Sequence, residues 1–215
     1  MELGLLSADE AAAYWENRHQ AEDDLRSGGH IGFDHVTNEI FYASRLGKLL
    51  EIIGDQTSLT EPLFVLDAGC GKGWFSRAVH RCGHRVDAID TSESALTYCQ
   101  EMGDGPRYLR SALSTWSSPW LYDVVFSIDV LFHILDDTEW ESSVCNLASL
   151  VRLGGRLIFT DWGEVGQRAY GNYQVLRGCA HYLPLMKRCG FRFDDWQSYN
   201  FRMNPIGFYI FTRTN

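Results

Sequence analysis

The 215-residue sequence is short of positive charge, with 19 Lys and Arg against 28 Asp and Glu and a formal net charge of −9. Surfaces that grip phosphate backbones cluster Lys and Arg, so nucleic acid is excluded as the expected partner. The six cysteines at 70, 82, 99, 145, 179 and 189 include no Cys-x-x-Cys pair and no grouping with histidine. That excludes a zinc site and a disulfide framework, and leaves reduced thiols in a chain expected to be cytoplasmic. No apolar run approaches the roughly 20 residues that span a bilayer. The first residues, with Glu2, Asp9 and Glu10, lack the charged-then-apolar pattern of a secretion signal, so no membrane partner is expected. His30 and His35 are not spaced with other ligand types, so no metal is expected. Repeats and low-complexity segments are also absent. With 45% hydrophobic content, the length suits one well-filled domain: an N-terminal helical cap segment over 1–55 and a core over 56–215, as a monomer or homodimer.

What is present centres on residues 63–76, Leu-Phe-Val-Leu-Asp-Ala-Gly-Cys-Gly-Lys-Gly-Trp-Phe-Ser. The apolar run 63–66 suits a strand buried on both faces, with Asp67 where a parallel strand would emerge. Gly69, Gly71 and Gly73 permit a tight turn and close approach to a ligand, and Phe75, Ala78 and Val79 are spaced for a helix returning to the sheet. A strand, a glycine loop and a helix bind nucleotide-like cofactors. A dinucleotide is disfavoured, because Trp74 holds the place of the third glycine. Asp67 beside the loop would repel a pyrophosphate and attract a sulfonium or ammonium. Lys72 is followed by Gly73, so no phosphate-cradling Gly-x-x-x-x-Gly-Lys-Ser/Thr motif exists.

Residues 65–73, Val-Leu-Asp-Ala-Gly-Cys-Gly-Lys-Gly, resemble the first motif of the class I S-adenosylmethionine-dependent methyltransferases. The resemblance implies an α/β fold: a three-layer Rossmann-like sandwich with a seven-stranded, mostly parallel sheet, an antiparallel last strand and an N-terminal helical cap. It implies S-adenosylmethionine as cofactor, with S-adenosylhomocysteine as product. The methionine part would lie on Asp67, Gly69, Cys70, Gly71 and Gly73, and the ribose on Asp90, which ends the second strand, 86–90. A carboxylate accepting two hydroxyl protons is the chemistry a ribose diol asks for. Thr91 beside Asp90 and Ile128 after the fourth strand belong to the same expected set. Many relatives hold the adenine amino group with an aspartate after the third strand, but the matching position here is Ala112. Ser111, or the backbone of Ala112 and Leu113, is left to serve, with Trp116 as a stacking wall. Relatives also place an arginine upstream of the first motif against the cofactor's carboxylate, here Arg45, and cover the cofactor with N-terminal helix residues, here Tyr14 and Trp15.

The remaining chain supplies the frame and the acceptor side. Ser7 with Glu10 three residues on marks a helix start. Residues 27–33, with three glycines, are expected as a flexible loop able to close, with His30 facing the pocket. An apolar stripe then runs to Gly54. Strands are expected at 107–109, 122–128, 156–160 and 206–212, and helices at 140–151 and 182–189. The polar stretch 163–178 is long for a connection and is expected to face substrate.

Methyl transfer is an in-line displacement at an activated carbon, so it asks mainly for positioning and water exclusion. A hydroxyl acceptor also wants a base, and His133 or Asp161 is expected to provide it. Trp162, Tyr170 and Tyr173, near the expected mouth, suit a stacked organic acceptor. A small-molecule acceptor, methylated on oxygen or nitrogen, is therefore favoured. The alternatives are a peptide or protein methyltransferase and a cofactor-binding homologue that uses the sulfonium for another reaction. The Asn/Asp-Pro-Pro-aromatic sequence of many base-amine methylases is absent, a second argument against a nucleobase acceptor.

Overall fold

The computed structural model describes residues 4–22, 24–54, 61–103 and 105–215, so the boundary expected at 55/56 lies outside the described residues. Three helices come first, α1 (Ala8–Ala21), α2 (Asp24–Gly28) and α3 (His35–Gly54). They are followed by β1 (Phe64–Ala68), α4 (Trp74–Arg81), β2 (Arg85–Asp90), α5 (Glu93–Met102), β3 (Arg107–Arg110) and β4 (Tyr122–Ser127). The second half runs α6 (Asp137–Ser149), β5 (Val151–Trp162), β6 (Gln167–Tyr170), β7 (Gln174–Arg177), α7 (Cys179–Arg188), β8 (Phe191–Ser198) and β9 (Ile206–Arg213). Seven strands form one sheet in the order β3-β2-β1-β4-β5-β9-β8, and β6 and β7 form a separate hairpin. All pairs among β1 to β5 are parallel, while β9 is antiparallel to both β5 and β8. This is the expected three-layer arrangement with an antiparallel last strand.

Alternation along the strands builds the two outer layers. Val65, Val124, Phe126, Ile158 and Ile210 pack with Phe41, Leu49 and Ile53 of α3 and Val79 of α4. Their neighbours Leu66, Val125, Leu157, Phe159 and Phe211 pack on the opposite face with Val144 and Leu147 of α6 and Leu185 and Met186 of α7. A strand covered on both faces reads as continuous apolar sequence, which is why the central strands are so conspicuous.

Several elements differ from the sequence-based expectations. Residues 24–28 are a helix, and the loop that follows is pinned by Asn38, whose side chain is fully buried. Its Oδ1 accepts from the His30 amide (2.9 Å) and its Nδ2 donates to the carbonyls of His30 and Phe33 (3.2 Å each). A buried polar group with every contact made fixes a loop, so the glycines here do not make a free flap. Strand β5 starts at Val151, which pairs with Tyr122, and Gly154 and Gly155 lie inside the strand at a register shift. The expected helix-to-strand turn is thus a bulge, a use of glycine that alternation patterns do not distinguish. The stretch 163–178 is not open chain: it contains the β6–β7 hairpin.

Candidate functional site

The strand order β3-β2-β1-β4 lays four carboxyl-end loops side by side: Ala112 after β3, Asp90 at the end of β2, Gly69 after β1 and Asp129 after β4. Three strand steps of about 4.8 Å make this row roughly 14 Å long. Along it runs a cavity of about 850 Å³, bordered by Gly69, Cys70, Gly71, Asp90, Thr91, Ala112, Leu113, Ile128 and Asp129 from the sheet side. Helix α1 roofs it with Ala8, Ala11, Ala12, Trp15 and His19.

The glycine loop is held by its own backbone geometry. Gly69 has φ 86°, and a Cβ there would collide with the Val130 side chain. Gly73 has φ 73°, and a Cβ there would meet Tyr108 Oη at 2.7 Å. Larger residues are excluded by conformation and by space together. The Asp90 carboxylate accepts from the Gly71 amide (2.8 Å) and the Ser92 amide (2.9 Å). These two bonds fix the carboxylate between the loop and α5 and leave lone pairs for a diol at the cavity.

At the β4 end, Arg45 of α3 is 2% exposed and ion-paired through Nη1 with Asp129. Its guanidinium lies 3.9 Å from the Phe41 ring centroid and 4.3 Å from that of Tyr42. Asp129 also accepts from the hydroxyls of Tyr199 (2.6 Å) and Thr160 (3.1 Å) and has φ 58°, a left-handed conformation at a non-glycine position. Backbone strain of this kind is tolerated where surrounding bonds over-determine it. Arg45 Nη2 is buried and has no hydrogen-bond partner among the described residues. With Nε donating to the Phe41 carbonyl (3.3 Å) and Nη1 paired with Asp129, Nη2 is the one nitrogen of this guanidinium with both hydrogens to spare among the described residues.

The roof is fastened at three points. Glu16 accepts from the Ser92 hydroxyl (2.7 Å) and from the Ser94 hydroxyl and amide at the start of α5, which holds its carboxyl below the usual range. Lys72 donates to the Glu22 carbonyl at 2.7 Å and so ties the glycine loop to the end of α1. At the other side, the Leu6 amide donates to the Asn172 carbonyl at the tip of the β6–β7 hairpin (3.0 Å), and Tyr14 stacks on Tyr173 (5.8 Å).

His133 ends a single 3-10 turn, Leu131–His133, and borders the cavity. Its Nδ1 lies 3.0 Å from the Tyr173 carbonyl, and its ring meets Trp15 edge-on at 4.5 Å. A carbonyl only accepts, so Nδ1 carries the proton and Nε2 keeps its lone pair. Burial lowers the imidazole pKa to about 4, so the ring is neutral near pH 7. The loop beneath it is anchored by Arg177 of β7, which has no exposed side-chain area. Arg177 donates to the carbonyls of Ile134 (3.0 Å), Val175 (3.3 Å) and Leu135 (3.4 Å) and to Asp137 (2.8 Å). Asp137 is itself 71% exposed, so Arg177→Met strands carbonyls rather than a buried charge. The expected loss in chemical denaturation is therefore about 1–3 kcal/mol, below the figure for a broken buried pair. A loss under 0.5 kcal/mol would mean that the 131–137 loop holds itself.

The structure separates the sequence-predicted residues into two groups. Gly69, Cys70, Gly71, Asp90, Thr91, Ala112, Leu113, Ile128, Arg45, Trp15 and His133 border one cavity. Asp67, Gly73, Ser111, Tyr14, Asp161, His30, Trp162, Tyr170 and Tyr173 do not border it. Asp67 lies beneath the loop, 2% exposed, and accepts from the Ser76 hydroxyl; burial raises its pKa to about 7, so it fastens the loop to α4 rather than meeting a cation. Asp161 is fully buried and bonded by Tyr182 (2.5 Å), the Trp162 amide (2.7 Å) and the Arg177 amide (3.1 Å), with burial raising its pKa to about 7. These bonds leave it no path to an acceptor. His30 stacks on Phe33 at 4.1 Å, Tyr170 is exposed on the hairpin, and Trp162 packs into the core. Tyr173 reaches the cavity wall through its carbonyl, which accepts from His133 Nδ1. Burial raises the Cys70 thiol pKa well above its ordinary value, so it lines the loop as a neutral thiol.

Asp129, His19 and Ser143 are among the cavity residues that the sequence reading did not name for the site. Asp129 is separated by 84 positions from its partner Arg45. His19 is 6% exposed, with Nδ1 unpartnered among the described residues, and lies against Gly71. Ser143 is discussed below. Asp129 directly follows the strand expected at 122–128, which was the available signal for it; burial is set by the fold, so nothing in the sequence marked His19 or Ser143.

Residues 65–155 match the family model of a methyltransferase domain. A ubiquinone biosynthesis O-methyltransferase of Rickettsia felis is 31% identical over 136 residues, which are 61% of this chain and 53% of that protein. The chain thus spans about half the length of the curated relatives it matches. The solved magnesium protoporphyrin IX methyltransferase of Synechocystis with bound SAM superposes with TM-score 0.70 at 22% identity, covering 94% of this chain and 91% of that one. The 1,6-didemethyltoxoflavin-N1-methyltransferase of Burkholderia thailandensis gives TM-score 0.69 at 20% identity over 100% and 94%. Motif, sheet order and sequence matches agree: residues 65–155 resemble a methyltransferase domain, and the fold is the Rossmann-like one of these solved methyltransferases.

Proposed function

We propose that the protein transfers a methyl group from S-adenosylmethionine to a small organic acceptor, on oxygen or nitrogen. The observation that carries this is the order of groups along one cavity: the spare Arg45 donor and Asp129 at one end, the fixed Asp90 carboxylate in the middle, and Ala112, Leu113, Glu139 and Ser143 beyond it. These fit an amino-acid zwitterion, a ribose diol and a heterocycle in sequence. When bound, this cofactor supplies a methyl group activated by a cationic sulfur. The chain's own residues bind, orient and exclude water. Arg45 faces the carboxylate and Asp129 the ammonium, while Asp90 accepts from the hydroxyls. Trp15, Tyr42, Trp74, Phe75 and Ile128 give the β4 end of the cavity an apolar wall for the acceptor. His133, neutral with Nε2 bare, is the group that takes a proton from a hydroxyl acceptor.

The roof formed by α1 favours a small acceptor over a peptide, which needs an open groove. Most of this machinery lies in 56–215, with 1–55 contributing the roof and Arg45, and we place the protein in the cytoplasm. Among the described residues no helix is long and apolar enough to cross a membrane. Calorimetry with S-adenosylhomocysteine, followed by radiolabel transfer from S-adenosylmethionine to a panel of phenols, amines and peptides, tests the assignment. Micromolar binding with transfer to small acceptors is expected. No heat with either cofactor form would overturn it, and transfer to peptides alone would move the acceptor class.

A further inference from the structure

The cavity ends, beyond Asp90, against the first two turns of α6. Asn146 of that helix donates to the carbonyls of Leu113 (2.7 Å) and Trp116 (2.9 Å), so the helix is clamped to the loop after β3. Ser143 is one turn earlier on the same face and borders the cavity with Glu139, Ala112 and Leu113. Its side chain is fully buried, and Oγ has no hydrogen-bond partner among the described residues. A buried hydroxyl without a partner costs stability, so a donor from a bound ligand would offset that cost. Ala112 offers no side-chain acceptor at this end.

We propose that Ser143 is a specificity-determining residue for the purine of the cofactor, its Oγ accepting from the exocyclic amino group in place of a carboxylate on the loop after β3. This rests on the cofactor assignment above. The order of groups across the sheet carries it. With an amino-acid receptor at β4 and a diol receptor at β2, the heterocycle falls at β3, where α6 closes the cavity. Glu139, which borders the same end, already accepts from the Ser114 hydroxyl (2.6 Å), whereas the Ser143 hydroxyl is unspent and accepts as a neutral group.

Two measurements on the full chain test it. Calorimetry compares S-adenosylhomocysteine with its analogue lacking the purine 6-amino group, for the wild type and Ser143→Ala. The wild type should bind the analogue about tenfold more weakly, and the variant should bind both alike, at the weaker affinity. In thermal denaturation without ligand, Ser143→Ala should be at least as stable as the wild type, because a stranded hydroxyl has been removed. A variant that keeps the wild-type discrimination overturns the proposal, as does a wild type that binds both ligands equally. A ligand-free variant that melts lower also overturns it, because Oγ would then have a structural partner. Absence of any S-adenosylhomocysteine binding by the wild type is a separate outcome, which removes the cofactor assignment and this proposal with it.

Discussion

Arg45→Met is expected to lower affinity for S-adenosylhomocysteine by more than 100-fold while leaving 5′-methylthioadenosine binding nearly unchanged. The magnitude has two parts. A hydrogen bond between a guanidinium and a carboxylate contributes about 1.5–3 kcal/mol, or roughly 10- to 150-fold. Removing the cation also leaves Asp129 uncompensated beside the incoming carboxylate, and like charges at short range in a partly buried site repel by further kcal/mol. Methylthioadenosine lacks the amino-acid end, so it reports whether the rest of the cavity survives. The variant should also lose about 3 kcal/mol of stability, since Asp129 keeps the hydroxyls of Tyr199 and Thr160 but loses its ion pair. Arg45→Lys should recover much of the stability and little of the affinity, because an ammonium cannot serve Asp129 and a ligand carboxylate with one planar fork. Equal losses for both ligands in Arg45→Met would show that Arg45 acts through the fold alone.

His133→Ala is expected to lower turnover of a hydroxyl acceptor by about 10²-fold or more with little change in cofactor affinity, the pattern of an interaction made in the transition state. The pH dependence separates this from a structural role. A base must be deprotonated, and burial lowers the His133 pKa to about 4, so the acidic limb of the wild-type profile should lie near pH 4 and not near 6.5. In the variant that limb should disappear. Stability carries an independent signature. The folded-state pKa is below the unfolded value near 6.5, so the unfolded chain binds the proton more readily and stability falls as pH drops from about 6.5 toward 4. His133→Ala should flatten that slope. A wild-type limb near 4 that persists in the variant would identify another group as the base and leave His133 as a neutral wall held by Tyr173.

The cofactor half of this protein was legible in its sequence because it is built from contiguous chain. A buried parallel strand shows as an unbroken apolar run, a tight turn shows as glycines, and the carboxylate beside that turn shows as the acid that ends the next strand. Local rules connect each pattern to its geometry, so β1, the loop at 69–73, β2 and Asp90 required no knowledge of distant contacts. The same holds for the capping box of Ser7 and Glu10 that starts α1.

Tertiary structure decided which polar residues are available to a ligand. Asp67 and Asp161 have the chemical type and the strand-end positions of functional acids, yet folding buries both and satisfies them with Ser76 and with Tyr182. Arg45 could be named from sequence, but its spare Nη2 follows from the pairing with Asp129 across 84 positions. Lys72, Glu16 and His19 acquire their roles only when α1 is laid over the glycine loop, and the hairpin tip at Asn172 and Tyr173 fixes that docking. A sequence records which side chains can donate or accept. Whether a donor is spent on a neighbour or left facing a cavity depends on desolvation and on partners brought together from distant parts of the chain, and only the packed structure sets these.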